Sequence, residues 1–139
     1  MIDKKKVDEL LPDAYTALEE SGIAVAGKID KAFRGQIASF GASIINSTVR
    51  SAIVFFSRSK EEGSRDKAGR SKLIEAIAFV LKKEGKITED SKNAVYQYAG
   101  SNEKEAEQTI MEIATALKLA MNLFELVDSP KDTGGGADE

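Results

Sequence analysis

Residues 31–56, KAFRGQIASFGASIINSTVRSAIVFF, constrain the fold of this chain more than any other stretch. There is no charged residue between Gly35 and Val49, although 31% of the chain is charged. Projected at about 100° per residue, Phe33, Ile37, Phe40 and Ile44 fall on one stripe, with Ala38, Gly41 and Ile45 beside it. Small side chains next to a large apolar stripe let a neighbouring backbone approach closely. The spacing therefore predicts a helix buried on more than one side. Ser47 and Thr48 break the run, and a second apolar segment covers residues 52–56. A membrane span is a poor reading, because Arg50 interrupts it and Gln36, Ser39, Ser43, Asn46 and Ser47 are too polar for lipid. The stretch reads as the core of a helical domain.

A chain of 139 residues is one domain by length and buries roughly two-thirds of its unfolded surface, so no disulfide or metal is needed to hold it. Cysteine and histidine are both absent. That excludes thiol catalysis, imidazole general bases and ordinary zinc sites. The lack of cysteine fits a reducing compartment, and Lys4, Lys5 and Lys6 precede no apolar run that would make a signal peptide. The expected location is cytoplasmic.

Taken in order, Val7, Leu10, Leu11, Ala14 and Leu18 keep helical spacing over residues 3–21, with Pro12 expected to kink the helix or to start a fresh one. Residues 23–29 read as a loop ending in Asp30, an N-cap for the central helix. Residues 57–69, SRSKEEGSRDKAG, read as a mobile, solvated basic loop. A helix over residues 70–84 follows, with Leu73, Ile74, Ile77, Val80 and Leu81 inward and Gly85 as its stop. Thr88 is expected to cap a short helix to Ala99, with Glu89 and Asp90 in its positive first turn and Gly100 ending it. Asn102 and Glu105 have the spacing of a capping box. Ala106, Ile110, Ile113, Leu117, Met121, Phe124 and Val127 then carry the last helix to about Asp128. No segment alternates at period two. The fold expected is all-α: a compact single-domain bundle of about six helices around a buried central helix, spanning residues 1–128. Residues 129–139 are expected to form a disordered acidic tail.

Chemistry is hard to find in this pattern. Neither GxGxxG nor GxxxxGK[ST] occurs, and the glycines at 134–136 precede no helix that would receive a phosphate. Glu61 and Glu62 fall in the charged loop, and Glu89 and Asp90 fit a helix start better than an acid/base pair. Three tyrosines and several serines remain without a base to activate them. The expectation is a protein that is not an enzyme and that uses no metal or cofactor.

Charge is more informative. The net value is −3, yet residues 28–72 hold ten basic and four acidic side chains, so a basic middle is set in an acidic remainder. Such a middle is either an unevenly solvated surface or a site for a polyanion or an acidic partner. One candidate is a helix-turn-helix DNA reader over residues 70–99. Its recognition helix would offer Glu89, Asp90, Lys92, Asn93 and Gln97 without an arginine, a poor match to phosphates. The cations lie instead at Lys28, Lys31, Arg34, Arg50, Arg58, Lys60, Arg65, Lys67, Arg70 and Lys72. Phe33, Phe40, Phe55 and Phe56 are expected in the core, which leaves few rings for base stacking. Any nucleic-acid contact is then expected to be with backbone phosphates.

Four blocks occur in order: LPDAYTALEESGIA (residues 11–24), GKIDKAFRGQIASFGASIINS (27–47), AIVFFS (52–57) and RSKLIEAIAFVL (70–81). Together they resemble the small subunit of the type III-B CRISPR–Cas effector, the Cmr complex. FRGQIASFGASIINS is the most specific of them. The resemblance implies a small, all-helical, non-catalytic subunit whose copies stack beside the backbone of a ribonucleoprotein. Its partners would be other Cmr subunits, copies of itself, CRISPR RNA and target RNA, with no membrane involved. It also implies a basic face along the guide–target groove. On this chain Lys31, Arg34 and Arg50 would supply framework positions, and Arg58, Lys60, Arg65, Arg70 and Lys72 a flexible rim. Arg34 would equally serve as a core-edge residue paired with a carboxylate. Two rivals stay open: a helical protein–protein adaptor without RNA contact, and the DNA-binding regulator.

Overall fold

The structure, a computed structural model, describes residues 2–57 and 65–128, with the side chains of residues 65–69 outside the description. Among the described residues six helices form the body: α1 (Lys4–Glu20), α2 (Ala32–Asn46), α3 (Val49–Phe56), α4 (Arg65–Lys83), α5 (Lys92–Ser101) and α6 (Glu103–Ala120). No helix among them is long and apolar enough to cross a membrane.

The buried centre is α4. Leu73, Ile74, Ala76, Ile77, Ala78, Val80 and Leu81 are all fully buried, so this helix is enclosed on almost every side. α6 packs beside it, with Ala106, Ile110, Ile113, Leu117 and Met121 buried as their spacing predicts. α2 is different. Ile37, Phe40 and Ile44 point inward, but Ala38 is exposed and Ile45 is 73% exposed. The expectation that α2 is buried on more than one side is therefore wrong: Gly41 is half-buried beside Met111, but Ala38 and Ile45 next to it face outward. The inward side is firmly seated: Phe40 meets Phe56 of α3 edge-on, with ring centroids 5.2 Å apart.

Local chemistry sets the helix ends. Asp3 caps α1 by accepting from the backbone N–H groups of Lys5 and Lys6 at 3.0 and 3.4 Å. The N–H of Asp3 is itself taken by the buried Glu112 carboxylate of α6 at 3.0 Å, a tie across the bundle. Glu84 at the end of α4 accepts from the Lys6 ammonium at 2.7 Å, and this contact holds the ammonium pKa above the ordinary lysine value. Pro12 neither splits α1 nor starts a new helix, since it lies on the exposed side where the carbonyl it orphans is open to water. Ser91, not Thr88, caps α5, accepting from Ala94 N–H at 3.1 Å. Asn102 caps α6 by accepting from Glu105 N–H at 3.3 Å. The stretch taken as a loop up to Gly69 ends sooner, because the backbone is helical from Arg65.

A small sheet was not foreseen. β1 (Ala24–Val25) and β2 (Lys28–Asp30) form an antiparallel hairpin, and β3 (Glu125–Val127) pairs parallel to β2 with Ile29 opposite Leu126. The last helix thus stops at Ala120, followed by a 3-10 turn over Met121–Leu123. Ile29 of β2 is fully buried, and the Tyr15 and Phe124 rings stack at 4.6 Å. The hairpin turn places Ala26 at φ 53 and Gly27 at φ 79. Such a turn favours asparagine then glycine, and alanine in the left-handed region costs roughly 1 kcal/mol. Ala26→Asn is accordingly expected to stabilise the fold by about 0.5–1 kcal/mol, read as a rise in the thermal midpoint. A fall would mean that the turn is not held in this conformation.

Candidate nucleic-acid interface

The cations singled out in the sequence occupy three places. Lys31 and Arg34 sit at the start of α2, exposed. The sheet puts them there: Lys31 N–H donates to Val127 O at 2.8 Å, closing β3 onto the helix start. Lys31, not Asp30, holds the N-cap position and makes no side-chain cap; Asp30, one residue earlier, accepts from Ala32 N–H at 2.9 Å. Two cations at the positive end of a helix dipole slightly disfavour the helix, so α2 does not gain stability from them. Lys31 makes a surface ion pair to Asp128 at 3.3 Å, with both side chains well exposed. A pair of that kind is worth little and leaves the ammonium open to exchange for another anion. Arg34 is exposed and is not a core-edge residue.

Arg50 and Arg70 border α3 from opposite ends. The Arg50 guanidinium donates to Tyr96 Oη at 2.9 Å and lies 4.8 Å from the centre of the Tyr96 ring. Gly100, one turn further along α5, makes this possible: a Cβ there would lie 3.1 Å from the guanidinium carbon. Gly100 therefore does not end α5 but gives Arg50 room against its backbone. Among the described residues Arg50 Nε is buried without a partner, as is Arg70 Nε. The Arg70 guanidinium lies 5.0 Å over Phe55 and 5.5 Å over Phe56. Lys72 goes elsewhere, with its Nζ beside Gly22 at the end of α1. Two positions on a helix are about 200° apart, so Arg70 and Lys72 do not share a face. Neither is a rim residue, since both stand half-buried on the regular helix α4. Arg58 and Lys60 lie outside the described residues, as do the Arg65 side chain and residues 129–139.

One expectation about the aromatic residues fails. Phe40 and Phe56 are fully buried and Phe33 half-buried, but Phe55 is 45% exposed and Val54 56%. The inward set of α3 is Val49, Ala52, Ile53 and Phe56, a regular helical spacing that necessarily turns Phe55 out. Starting that pattern at Val49 would have revealed it. Tyr96 was missed because it follows the buried Val95 in a helix read mainly for its charge. Between α3 and α5 the surface opens into a cleft of about 590 Å³ lined by Arg50, Ser51, Val54, Phe55, Tyr96 and Glu103.

α5 is poorly equipped to read DNA. The Lys92 ammonium, its one cation, is held by Ser57 O at 3.1 Å and Ser71 Oγ at 3.2 Å, tying α5 to the ends of α3 and α4. Among the described residues, no group of three or more carboxylates is clustered so as to hold a metal ion. Compared with protein-family models, curated proteins and solved structures, the chain matches none.

Proposed function

We propose that this chain is a non-catalytic structural subunit of a type III-B CRISPR RNA-guided interference complex, stacked along the guide–target groove and touching RNA backbone with its basic residues. The observation that carries the reading is the ordered series of blocks between residues 11 and 81, with FRGQIASFGASIINS at its centre. In this reading the protein is cytoplasmic, serves antiviral defence, and binds other Cmr subunits, copies of itself, CRISPR RNA and target RNA.

Two features support it. First, the block on α2 spends only part of its small, uncharged residues on the protein's own core. Gly35, Ala38, Ser39, Ala42 and Ile45 face outward. A helix face without charge suits the centre of a contact with another protein, where charged side chains are depleted. Second, Lys31 and Arg34 stand exposed at the end of that same helix, so a protein neighbour and an RNA strand have separate places to bind. The adaptor reading shares the first feature and differs on the second.

The double reversal Lys31→Glu with Arg34→Glu separates them. Affinity purification of the tagged variant from its host is expected to retain the partner subunits and recover much less RNA. Loss of the partner proteins, or RNA recovery equal to that of the unaltered protein, would favour the adaptor.

A further inference from the structure

We infer that the cleft between α3 and α5 is a stacking site for single-stranded RNA, with Phe55 as the platform for a base and Arg50 and Arg70 as the charges for its flanking phosphates. This rests on the RNA reading above and goes beyond it by naming a second mode of contact, through the base rather than the backbone alone.

The cleft is built for a ligand that is flat, apolar on its faces and anionic at its edge. Phe55 is 45% exposed beside the fully buried Phe56, and Arg70 lies 5.0 Å over its ring. An arginine laid on an aromatic ring keeps both in place without removing the guanidinium's hydrogen-bonding edge. Arg50 uses one nitrogen on Tyr96 Oη, while its Nε is buried with no acceptor. That Nε lies against Gly100 and out of a ligand's reach, so what Arg50 offers a phosphate is the remaining N–H groups of its terminal nitrogens. Among the lining residues Arg50 is the cation and Glu103 the carboxylate; Arg70 adds its charge from over the Phe55 ring, and the Lys92 ammonium lies close behind the end of α3. The volume of about 590 Å³ accommodates a nucleotide. An acidic peptide would satisfy the charge but leave the ring nothing flat to stack on. A duplex keeps the faces of its bases inside its own stack, whereas a single strand can offer them.

The test uses the full chain and a fluorescein-labelled oligouridylate carrying thiouridine, at about 50 mM salt where phosphate contacts are strongest. Phe55→Leu keeps an apolar side chain and removes the ring. It is expected to weaken binding about tenfold while leaving the slope against salt unchanged, since stacking releases no counterions. Photocrosslinks are expected in the peptides holding Phe55 and Tyr96. The chain has no tryptophan, so Phe55→Trp supplies a single reporter, and its emission is expected to be quenched on RNA addition. Circular dichroism confirms that each variant is folded. Salt-sensitive RNA binding that is unchanged in Phe55→Leu, with crosslinks elsewhere, would overturn the cleft and leave the RNA reading intact. Absence of RNA both on the free chain and on the assembled complex would remove both. A shift in sedimentation of Phe55→Leu with no change in RNA affinity would make the ring a contact between copies of this chain, which also overturns the site.

Discussion

Phe40→Ala is expected to unfold at markedly lower urea concentration than the unaltered chain, with a stability loss of about 3–5 kcal/mol. Phe40 is fully buried, and its ring meets that of Phe56 at 5.2 Å, so truncation removes both the transfer energy of the side chain and an aromatic pair. Alanine is the better helix former, so α2 itself is not weakened and the loss comes from the cavity. Against a total of roughly 5–15 kcal/mol for a domain this is a large share. The comparison that gives the prediction its edge is Phe55→Ala, one residue type at two depths. With Phe55 45% exposed, its truncation is expected to cost only about 1 kcal/mol. Similar losses at the two positions would mean that α3 is rotated from the orientation described here.

Raising salt from about 50 to 200 mM is expected to weaken binding of single-stranded RNA about fiftyfold, taking roughly four phosphate contacts at a slope near −0.7 each. In the proposed reading Lys31, Arg34, Arg50 and Arg70 would supply those four, all of them among the described residues. The sequence of the RNA is expected to matter little, because no side chain here is arranged to read base edges. Lys31→Glu with Arg34→Glu removes two contacts and should flatten the slope by about 1.4. A net charge of −3 keeps the affinity of one copy low. Tight binding is expected only when many copies line one strand and effective concentration replaces individual affinity. Binding that is indifferent to salt would contradict this account of the cations.

The elements that were legible in the sequence are those whose own residues carry enough signal. α6 repeats its apolar positions over five turns and begins at Asn102 with a side-chain cap, and both appear in place. α4 ends as expected at Gly85, where Gly85 N–H bonds Lys82 O and Lys86 N–H bonds Leu81 O. The sheet escaped because its strands are two or three residues long, too short for alternation to show, and because β3 is held to β2 by pairing across nearly a hundred residues. Thr88 and Ser91 are equally good caps by type. The choice between them is made by Val95 and Ala99, whose burial sets the register of α5. α2 misled for a physical reason: a charge-free face signals burial, but burial against a partner leaves the same mark as burial in the core.

The site was legible in part for a related reason. Lys31 and Arg34 stand out as cations just before an uncharged run, and both are exposed, Arg34 against the core-edge alternative. That Arg50 would be held by Tyr96, some forty-six residues away, depends on α3 crossing α5, and no spacing within either helix encodes it.

The most direct test of the central claim is purification of the tagged protein from its native host at low and high salt, with co-purifying proteins identified by mass spectrometry and bound RNA by sequencing. The account predicts other Cmr subunits together with short repeat-derived RNAs, the RNA retained at low salt and diminished at high. Recovery of unrelated proteins without RNA would contradict it and leave a helical adaptor.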